Sequence, residues 1–412
     1  MKNVFLLSFV FFLNVTTSYC QNWHTQTSGF SVTLNDIYFI NINTGFAVGN
    51  RGVILKTTNS GINWNRNDIG IDRNLRTVYC IDINTGYIGG GDEYYIYHGV
   101  HRDRILLKTT NQGINWNIIE NYNSDAYPIY DIQFLNSKTG WYCCGSLSKT
   151  TDGGLSWQDK QVSAIRSFFI DEFNGFRYNS NANSLFRTSN DGLTWINVGN
   201  YYCDGGIYFS NSLTGFSVGF NGIIKTSDGG YNWFYVLGGV RGFGIHFSDN
   251  NKGLAVGNNG VTVKTTNGGI NWVSSYLPGG TLYSVFTLND SSSWAVGDSG
   301  RIFSTITSPN SILNVSNSIP ESFSLSQNYP NPFNPNTIIN YAIPSNVKHQ
   351  TSNVKLIIYN SLGKQITTLV NRKHNAGSYS IEFNGDGLPS GVYYYKLESG
   401  DFIETKRMVL LK

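Results

Sequence analysis

Residues 215–233 read GFSVGFNGIIKTSDGGYNW, and this stretch decides how most of the chain folds. Two short apolar runs are separated by Asn-Gly and followed by a turn of the form Ser/Thr, polar, x, Gly, x, polar, Trp. We expect the Asp or Asn of this turn to accept hydrogen bonds from amides two residues further on, and the Gly to adopt a positive φ. The Trp ring is expected to fold under the loop, so that the turn closes a hairpin.

The turn is written six times, about every 40 residues, and a period of that size indicates an array of similar supersecondary units. Each unit contains four short strands, which is typical of a propeller blade. The turn residues, expected to be structural, are Asn59, Gly61, Trp64, Asn111, Gly113, Trp116, Asp152, Gly154, Trp157, Asn190, Gly192, Trp195, Asp228, Gly230, Trp233, Asn267, Gly269 and Trp272.

The pattern predicts an all-β fold with a seven-bladed β-propeller over residues 21–308. First strands are predicted to start near Asn35, Arg76, Tyr130, Arg166, Gly205, Phe243 and Tyr283. The seventh repeat lacks the turn, whereas residues 21–23 copy the Ile-Asn-Trp ending of the first turn closely. We therefore predict that residues 23–27 form the outer strand of the last blade and close the ring.

Composition narrows the classes of protein. Charged residues make up 13% of the 412 residues and the formal net charge is +3, so no strong attraction to nucleic acid follows. Residues 1–20 have the features of a secretory signal peptide, with retention and acylation of Cys20 as the weaker alternative. No later run is long and apolar enough to span a bilayer. A soluble, exported protein is predicted, as a monomer without cofactors.

Four cysteines follow the signal: Cys80, Cys143, Cys144 and Cys203. Their spacing is irregular, so we expect buried thiols, with a bridge from Cys80 to Cys143 or Cys144 as a minority hypothesis.

The period is lost after residue 308. Residues 309–320 are rich in Ser and Asn and predict a linker. Short strands in residues 321–412, at 354–359, 379–383, 392–397 and 408–411, predict a small Ig-like β-sandwich.

Two resemblances add to these predictions. The turn resembles the Asp box, or BNR repeat, and residues 22–308 resemble the Ycf48-like family of seven-bladed propellers, which assists photosystem II assembly through an arginine-rich surface. Of the corresponding first-strand positions, only Arg76 and Arg166 are arginines here.

The C-terminal region closely resembles the type A C-terminal sorting domain of the type IX secretion system. The resemblance implies that the type IX machinery is a partner and that the protein reaches the outside or the outer-membrane surface of a Gram-negative bacterium. The matching positions include Asn328, Pro330, Asn331, Pro332, Phe333, Gly363, Gly391, Lys406 and Lys412.

An insertion in the second repeat, at residues 91–104, is the main candidate binding site, because long loops on a rigid scaffold often carry recognition residues. Its mixture of aromatic and charged side chains suits a sugar or a protein surface. A plain extension of the second and third strands is an almost equal alternative. The predicted ligand-binding residues are Asp92, Glu93, Tyr94, Tyr95, Tyr97, His98, His101 and Arg102 of the insertion, with Arg76, Tyr130, Arg166 and Tyr283 at the channel mouth.

The sequence supports a metal site or a catalytic site less well than a binding site. His98 and His101 with Asp92 or Glu93 could form a zinc site, but histidines three apart on a hairpin do not converge. A sialidase would need an arginine triad and a Tyr–Glu nucleophile pair; Arg76, Arg166 and Arg241 are present without the other landmarks. We therefore assign no catalytic or metal residue. The favoured function is an exported binding or scaffolding protein for a surface protein or glycan, with a Ycf48-like assembly factor and a glycan hydrolase as alternatives.

Overall fold

Short strands joined by tight turns make up most of the chain. The computed structural model describes residues 23–96, 99–306, 313–316, 320, 322–344, 351–385 and 387–411, so the predicted signal peptide lies outside the described residues. Two 3₁₀ turns, Asn258–Gly260 and Asp298–Gly300, interrupt the strands.

The strands of the repeat region are β1 (His24–Thr27), β2 (Leu34–Phe39), β3 (Gly45–Gly49), β4 (Ile54–Thr57), β5 (Asn65–Arg66), β6 (Leu75–Cys80), β7 (Gly86–Gly90), β8 (Glu93–Ile96), β9 (Gly99–Arg102), β10 (Arg104–Thr109), β11 (Asn117–Tyr122), β12 (Asp131–Phe134), β13 (Gly140–Cys143), β14 (Gly145–Thr150), β15 (Gln158–Ala164), β16 (Arg166–Phe169), β17 (Gly175–Asn179), β18 (Ser184–Thr188), β19 (Ile196–Gly199), β20 (Gly206–Phe209), β21 (Gly215–Gly219), β22 (Gly222–Thr226), β23 (Phe234–Gly238), β24 (Gly242–Phe247), β25 (Gly253–Gly257), β26 (Val261–Thr265), β27 (Val273–Tyr276), β28 (Leu282–Asn289), β29 (Ser292–Gly297) and β30 (Arg301–Ser304).

Within the described residues all of these strands except β8 and β9 form seven four-stranded antiparallel sheets, which are the predicted blades. Blade 1 is β2 to β5, blade 2 is β6, β7, β10 and β11, and blades 3 to 6 take the next sixteen strands in order. Blade 7 is β28, β29 and β30 with β1 as its outer strand. The last blade is therefore built from both ends of the repeat region, as predicted.

The closing strand has a defined register. His24 lies opposite Ser304 and Thr27 opposite Arg301. Gln26 then links this strand to blade 1, because its Nε2 donates to Ser60 O at 3.0 Å and its Oε1 accepts from Trp64 Nε1 at 3.3 Å.

The repeated turn differs in one detail from the prediction. Asn59 Oδ1 accepts from the amide of Asn63, four residues on rather than two, at 3.0 Å. The hydroxyl that holds the glycine belongs to Thr57, the residue before the quoted turn, because Thr57 Oγ1 accepts from Gly61 N at 2.8 Å. Thr226 does the same for Gly230 at 2.9 Å, so the anchor is the last residue of the third strand.

The turns also fasten neighbouring blades to each other. Lys225 on blade 5 donates from Nζ to Gly268 O in the turn of blade 6 at 2.7 Å. Gly230 has a φ of 82°, and a Cβ at this position would lie 2.2 Å from Phe176 Cζ of blade 4. These contacts give the turn a structural role.

We expect Thr226→Val to destabilise the propeller by about 1–3 kcal/mol, because the isosteric side chain leaves the buried amide of Gly230 without an acceptor. Ser227→Ala is the matched control, since Ser227 is the first residue of the turn in the sequence but is exposed. Chemical denaturation of both variants measures the difference. Equal stability of the two variants would contradict the assignment of Thr226 as the anchor.

The C-terminal strands are β31 (Leu313–Ser316), β32 (Ser324–Leu325), β33 (Asn336–Ile343), β34 (Thr351–Asn360), β35 (Gln365–Asn375), β36 (Gly377–Asn384), β37 (Gly391–Ser399) and β38 (Phe402–Leu410). They form two four-stranded sheets, in the orders β31-β36-β33-β32 and β35-β34-β37-β38, around a shared apolar core. β33 and β35 were not predicted. β31 lies within the segment predicted as a linker, and it pairs with β36.

The sorting-motif residues join the start of this domain to its last strand. Asn328 is 2% exposed, and its backbone N donates to the hydroxyl of Tyr395 at 2.8 Å. Phe333 is equally buried and exchanges backbone hydrogen bonds with Val409 and Leu411. Lys406 pairs with Glu404 at 3.0 Å, whereas Lys412 lies outside the described residues.

The four cysteines of the repeat region are buried and free, so the default prediction of unpaired thiols is confirmed. Burial raises the pKa of Cys203 to about 12 and that of Cys143 well above its ordinary value. Protonated, enclosed thiols of this kind are inert.

Candidate functional site

The insertion of blade 2 folds as a two-stranded hairpin of β8 and β9 that continues the pairing of β7 with β10 in register, so in its geometry it is the extension of the second and third strands named as the alternative. The hairpin comes directly before β10, and the repeated turn comes directly after β10. The hairpin and the turn therefore lie at opposite ends of this strand. Tyr97 and His98 lie outside the described residues, and for Tyr95 only the backbone, paired with Val100, is described.

The base of the hairpin is fixed by two aspartates. Asp92 N donates to Asp103 Oδ1 at 2.7 Å, and Asn74 N donates to Asp92 Oδ1 at 3.1 Å. Asp103 is buried, and its Oδ2 lies 3.5 Å from both Arg73 Nε and His101 Nε2. Asp92 and Asp103 therefore have a positioning role at the root of the insertion.

The hairpin then reaches onto the entry to blade 3. Glu93 accepts a hydrogen bond from Arg102 Nε at 2.8 Å and another from the hydroxyl of Tyr130 at 2.7 Å. Arg102 also stacks on the ring of Tyr127 at 4.1 Å, and Arg76 on the ring of Tyr130 at 5.1 Å. We call these five residues, Arg76, Glu93, Arg102, Tyr127 and Tyr130, the hairpin site.

The electrostatics keep Glu93 ionised. Burial alone would raise the pKa of this carboxyl, but the hydrogen bonds from Tyr130 and Arg102 and the nearby guanidinium groups outweigh it and lower the pKa. Arg102 correspondingly has a raised pKa, chiefly through its bond to Glu93. The contact is therefore a charge-assisted bridge over the neutral pH range.

Beside this contact, Tyr94 stacks on the ring of His101 at a centroid distance of 4.7 Å and is half exposed. Tyr94 and His101 alternate with Glu93 and Arg102 along the hairpin, so the Tyr94 ring lies on the face opposite Arg102 and Tyr127.

Arg166 is adjacent to the site but not at the position predicted. Its backbone lies opposite Tyr178, as Asp131 lies opposite Cys143, so the residue that corresponds to Tyr130 is Ile165. A shift of one residue turns a side chain to the other face of a strand. Arg166 Nη1 nevertheless donates to Tyr130 O at 3.0 Å, so it contacts the backbone of that residue.

Tyr283 belongs to a different cluster, in blade 7. Its hydroxyl donates to Asp298 Oδ1 at 3.2 Å, and its ring lies 5.5 Å from that of Phe243. Arg241 stacks on Phe243 at 5.2 Å in the same cluster. The structure therefore brings Arg76 and Tyr130 to the hairpin and leaves Tyr283 with these neighbours.

Carboxylates on the first strands connect blades. Asp36 of blade 1 accepts from Ser284 Oγ of blade 7 at 2.6 Å and from Val78 N of blade 2 at 2.8 Å. Burial raises its pKa to about 6. Asp131 accepts from Ser167 N of blade 4 at 3.0 Å. These satisfied carboxylates are structural connectors.

Arg73 and Tyr127 were not selected from the sequence. Both lie in loops before the first strand of a blade. The sequence gives no sign that these loops contact the insertion of blade 2. As for the zinc hypothesis, His101 faces Asp103, and the described part of the chain contains no group of three potential metal ligands.

We expect Tyr130→Phe to loosen the hairpin, because Glu93 loses one of its two side-chain donors. Hydrogen–deuterium exchange of residues 93–102 should become at least about fivefold faster, equivalent to 1 kcal/mol or more for a bond to a charged group. Tyr94→Phe is the control, since the stack on His101 does not use its hydroxyl. Unchanged protection in Tyr130→Phe would mean that the hairpin is held by its base alone.

Two family models match separate parts of the chain. Residues 15–124 match the family model described as photosynthesis system II assembly factor YCF48, and residues 327–411 match that of the secretion system C-terminal sorting domain. No curated protein gives a match. The described residues contain no helix of the length and hydropathy needed to cross a membrane.

Solved structures resemble the propeller. YCF48 bound to D1 peptide is 18% identical with a TM-score of 0.56, and covers 69% of this chain and 97% of its own. YCF48 from Cyanidioschyzon merolae is 16% identical with a TM-score of 0.54, covering 68% and 98%. The WD40 propeller domain of Doa1 is 13% identical with a TM-score of 0.51, covering 69% and 98%. At these identities the likeness shows the fold alone. Two separate parts of the chain thus resemble known families, residues 15–124 the YCF48 assembly factors and residues 327–411 the secretion system C-terminal sorting domain.

Proposed function

We propose that the exported propeller is a binding protein that holds a segment of another protein at the hairpin site. The observation that carries the proposal is the attachment of the hairpin to blade 3 through Glu93, Arg102 and Tyr130. Because the insertion is fixed on a rigid scaffold, Arg102 and Tyr127 form a pre-organised surface rather than a loose loop, and Tyr94 is exposed on the other face of the same hairpin. Tyrosine and arginine are the residue types that most often anchor protein interfaces.

The charges at this surface favour contact with a protein segment over attraction of one ion. Arg73, Arg76 and Arg102 lie beside Asp92, Glu93 and Asp103, so positive and negative charges are balanced. A ligand with mixed polar and aromatic groups matches such a surface better than a polyanion. The YCF48 structure with a D1 peptide supports the idea that a propeller of this architecture can hold a peptide.

The test places a photo-crosslinking amino acid at position 94 of the mature chain and exposes the protein to intact cells of its own species. Mass spectrometry identifies the attached protein and its crosslinked segment. Arg102→Ala with Tyr127→Ala should lower the yield at least about tenfold, as expected for hot-spot residues. Leu193→Ala is the control, because Leu193 is an exposed residue in the turn of blade 4.

Yield that is unaffected by the double variant would refute the hairpin site. A crosslinked protein from a membrane complex would favour the assembly-factor alternative for the partner. Attachment to glycan alone, or release of sugar during incubation, would favour the carbohydrate alternatives.

A further inference from the structure

A groove between blades 2 and 3 has the composition of a small-molecule site. It has a volume of about 500 Å³ and lies between the outer strand β11 of blade 2 and the turn of blade 3. Pockets of this size are ordinary for small ligands. None of the hairpin-site residues lines it.

The corresponding gap between blades 1 and 2 is bridged by a side chain. Between blades 1 and 2, Asn67 Nδ2 fills the corresponding gap by donating to Gly113 O at 2.7 Å and Ile114 O at 3.1 Å in the next turn. The residue at the same distance from the tryptophan of blade 2 is Ile119, whose side chain has no donor. Ile119 lines the groove instead of bridging it.

The basic and acidic side chains that line the groove are equal in number, so their formal charges sum to zero. Arg104 and Lys108 supply positive charge, and Glu120 and Asp159 supply negative charge. A simple anion would face two carboxylates, and a simple cation would face two basic groups. A neutral ligand that both donates and accepts hydrogen bonds meets no such penalty.

Hydrogen-bonding capacity remains at the centre of the groove. Glu120 is 3.2 and 3.3 Å from the hydroxyl of Tyr142, which is long for a bond to a carboxylate. Arg104 is already engaged, because its Nη1 donates to Cys144 Sγ at 2.9 Å and its guanidinium stacks on the ring of Tyr122 at 4.6 Å. Its Nε is buried 3.4 Å from Glu120 Oε2. A ligand hydroxyl that reaches Glu120 would gain a strong acceptor.

Aromatic rings complete the lining. Tyr122 is 48% exposed on β11, and Trp157 and Tyr142 line the wall on blade 3. An aromatic ring packs against an apolar face of a ligand, while a carboxylate pairs with neighbouring hydroxyls. A neutral pyranose has both features.

We propose that the groove between blades 2 and 3 binds one or two units of a neutral saccharide, with Glu120 on a hydroxyl and Tyr122, held by Arg104, against its ring. This site is separate from the hairpin site, so it stands independently of the proposed protein partner.

The experiment uses the full mature chain and saturation-transfer NMR with four neutral disaccharides: cellobiose, maltose, lactose and mannobiose. Sialyllactose and glucosamine test the effect of negative and positive charge. We expect saturable binding of at least one neutral disaccharide at millimolar concentration or below, and weaker binding of the charged probes.

Glu120→Gln and Tyr122→Ala should each weaken that binding at least about tenfold, which corresponds to 1.4 kcal/mol. Tyr276→Ala is the control, because Tyr276 is an exposed tyrosine on the outer strand of blade 6. Tyr122→Ala guards the test against loss of the fold, since this side chain is half exposed and is not part of a buried core cluster. No binding of any neutral disaccharide, stronger binding of a charged probe, or binding unchanged in both variants would overturn the proposal. Crosslinking at position 94 should be unaffected by either variant.

Discussion

Deletion of residues 21–28 is expected to lower the melting temperature of the propeller by more than about 10 °C, because it opens the ring. The deletion removes β1 and leaves the edge of β30 without its partner from Arg301 to Ser304. Four residue pairs are lost, and backbone hydrogen bonds contribute about 0.5–1.5 kcal/mol each. In a domain of this size each kcal/mol of unfolding free energy corresponds to a shift of about 2–4 °C or less in melting temperature. Several kcal/mol must therefore be lost to produce the expected shift.

The closing strand also connects two blades that are far apart in sequence. The Gln26 side chain accepts from Trp64 and donates to Ser60 in blade 1. Gln26→Ala should therefore give a smaller shift in the same direction, because the strand remains while its side-chain link to blade 1 is lost. The open edge should make the deletion variant associate with other copies. A melting temperature within about 2 °C of the parent, measured by calorimetry on matched samples, would show that the ring does not depend on this strand.

Most of the fold could be predicted from the repeat, because each part of the repeat forms its structure for reasons that lie in the neighbouring residues of the sequence. The Asn or Asp, the Gly and the Trp of the turn can be recognised without knowledge of the neighbouring blades. The Thr that holds the glycine amide was missed, because Thr57 and Thr226 lie at the end of an apolar run and look like strand residues in the sequence. The strand β33 was not assigned although its apolar residues alternate, because it follows a segment with three prolines, whereas the polar residues of β35 obscure the alternation expected of a strand.

The hairpin was predicted as a feature but not in its contacts. The sequence indicates Glu93 and Arg102 as charged residues of an insertion, yet it cannot say that Tyr127 and Tyr130, more than twenty residues later, receive them. The Arg166 error has a simple origin, since nothing in the sequence marks whether Ile165 or Arg166 is in register with Tyr130. Long-range contacts and strand register are settled by packing between blades, which the period alone does not encode.

Transfer of the C-terminal domain to a reporter should redirect nearly all of that reporter to the outside of the cell, provided that the domain folds. We expect residues 309–412 to serve better than residues 321–412, because the longer fragment includes β31, which covers the edge of β36. An uncovered edge strand is a site of non-specific pairing. The measurement is the fraction of reporter outside the outer membrane, with a periplasmic marker as reference.

Phe333→Ala within the longer fusion should abolish most of this export. Phe333 packs in the core of the domain and exchanges backbone hydrogen bonds with Val409 and Leu411, so it ties the Asn-Pro-rich start of the domain to its last strand. Loss of a buried Phe costs about 3–5 kcal/mol, which approaches the whole stability of a small domain. Leu362→Ala is the matched control, since Leu362 is 90% exposed and its loss should leave export unchanged. If Phe333→Ala were exported as well as the control, the secretion machinery would be recognising an unfolded tail, and the paired ends of this sandwich would have no part in sorting.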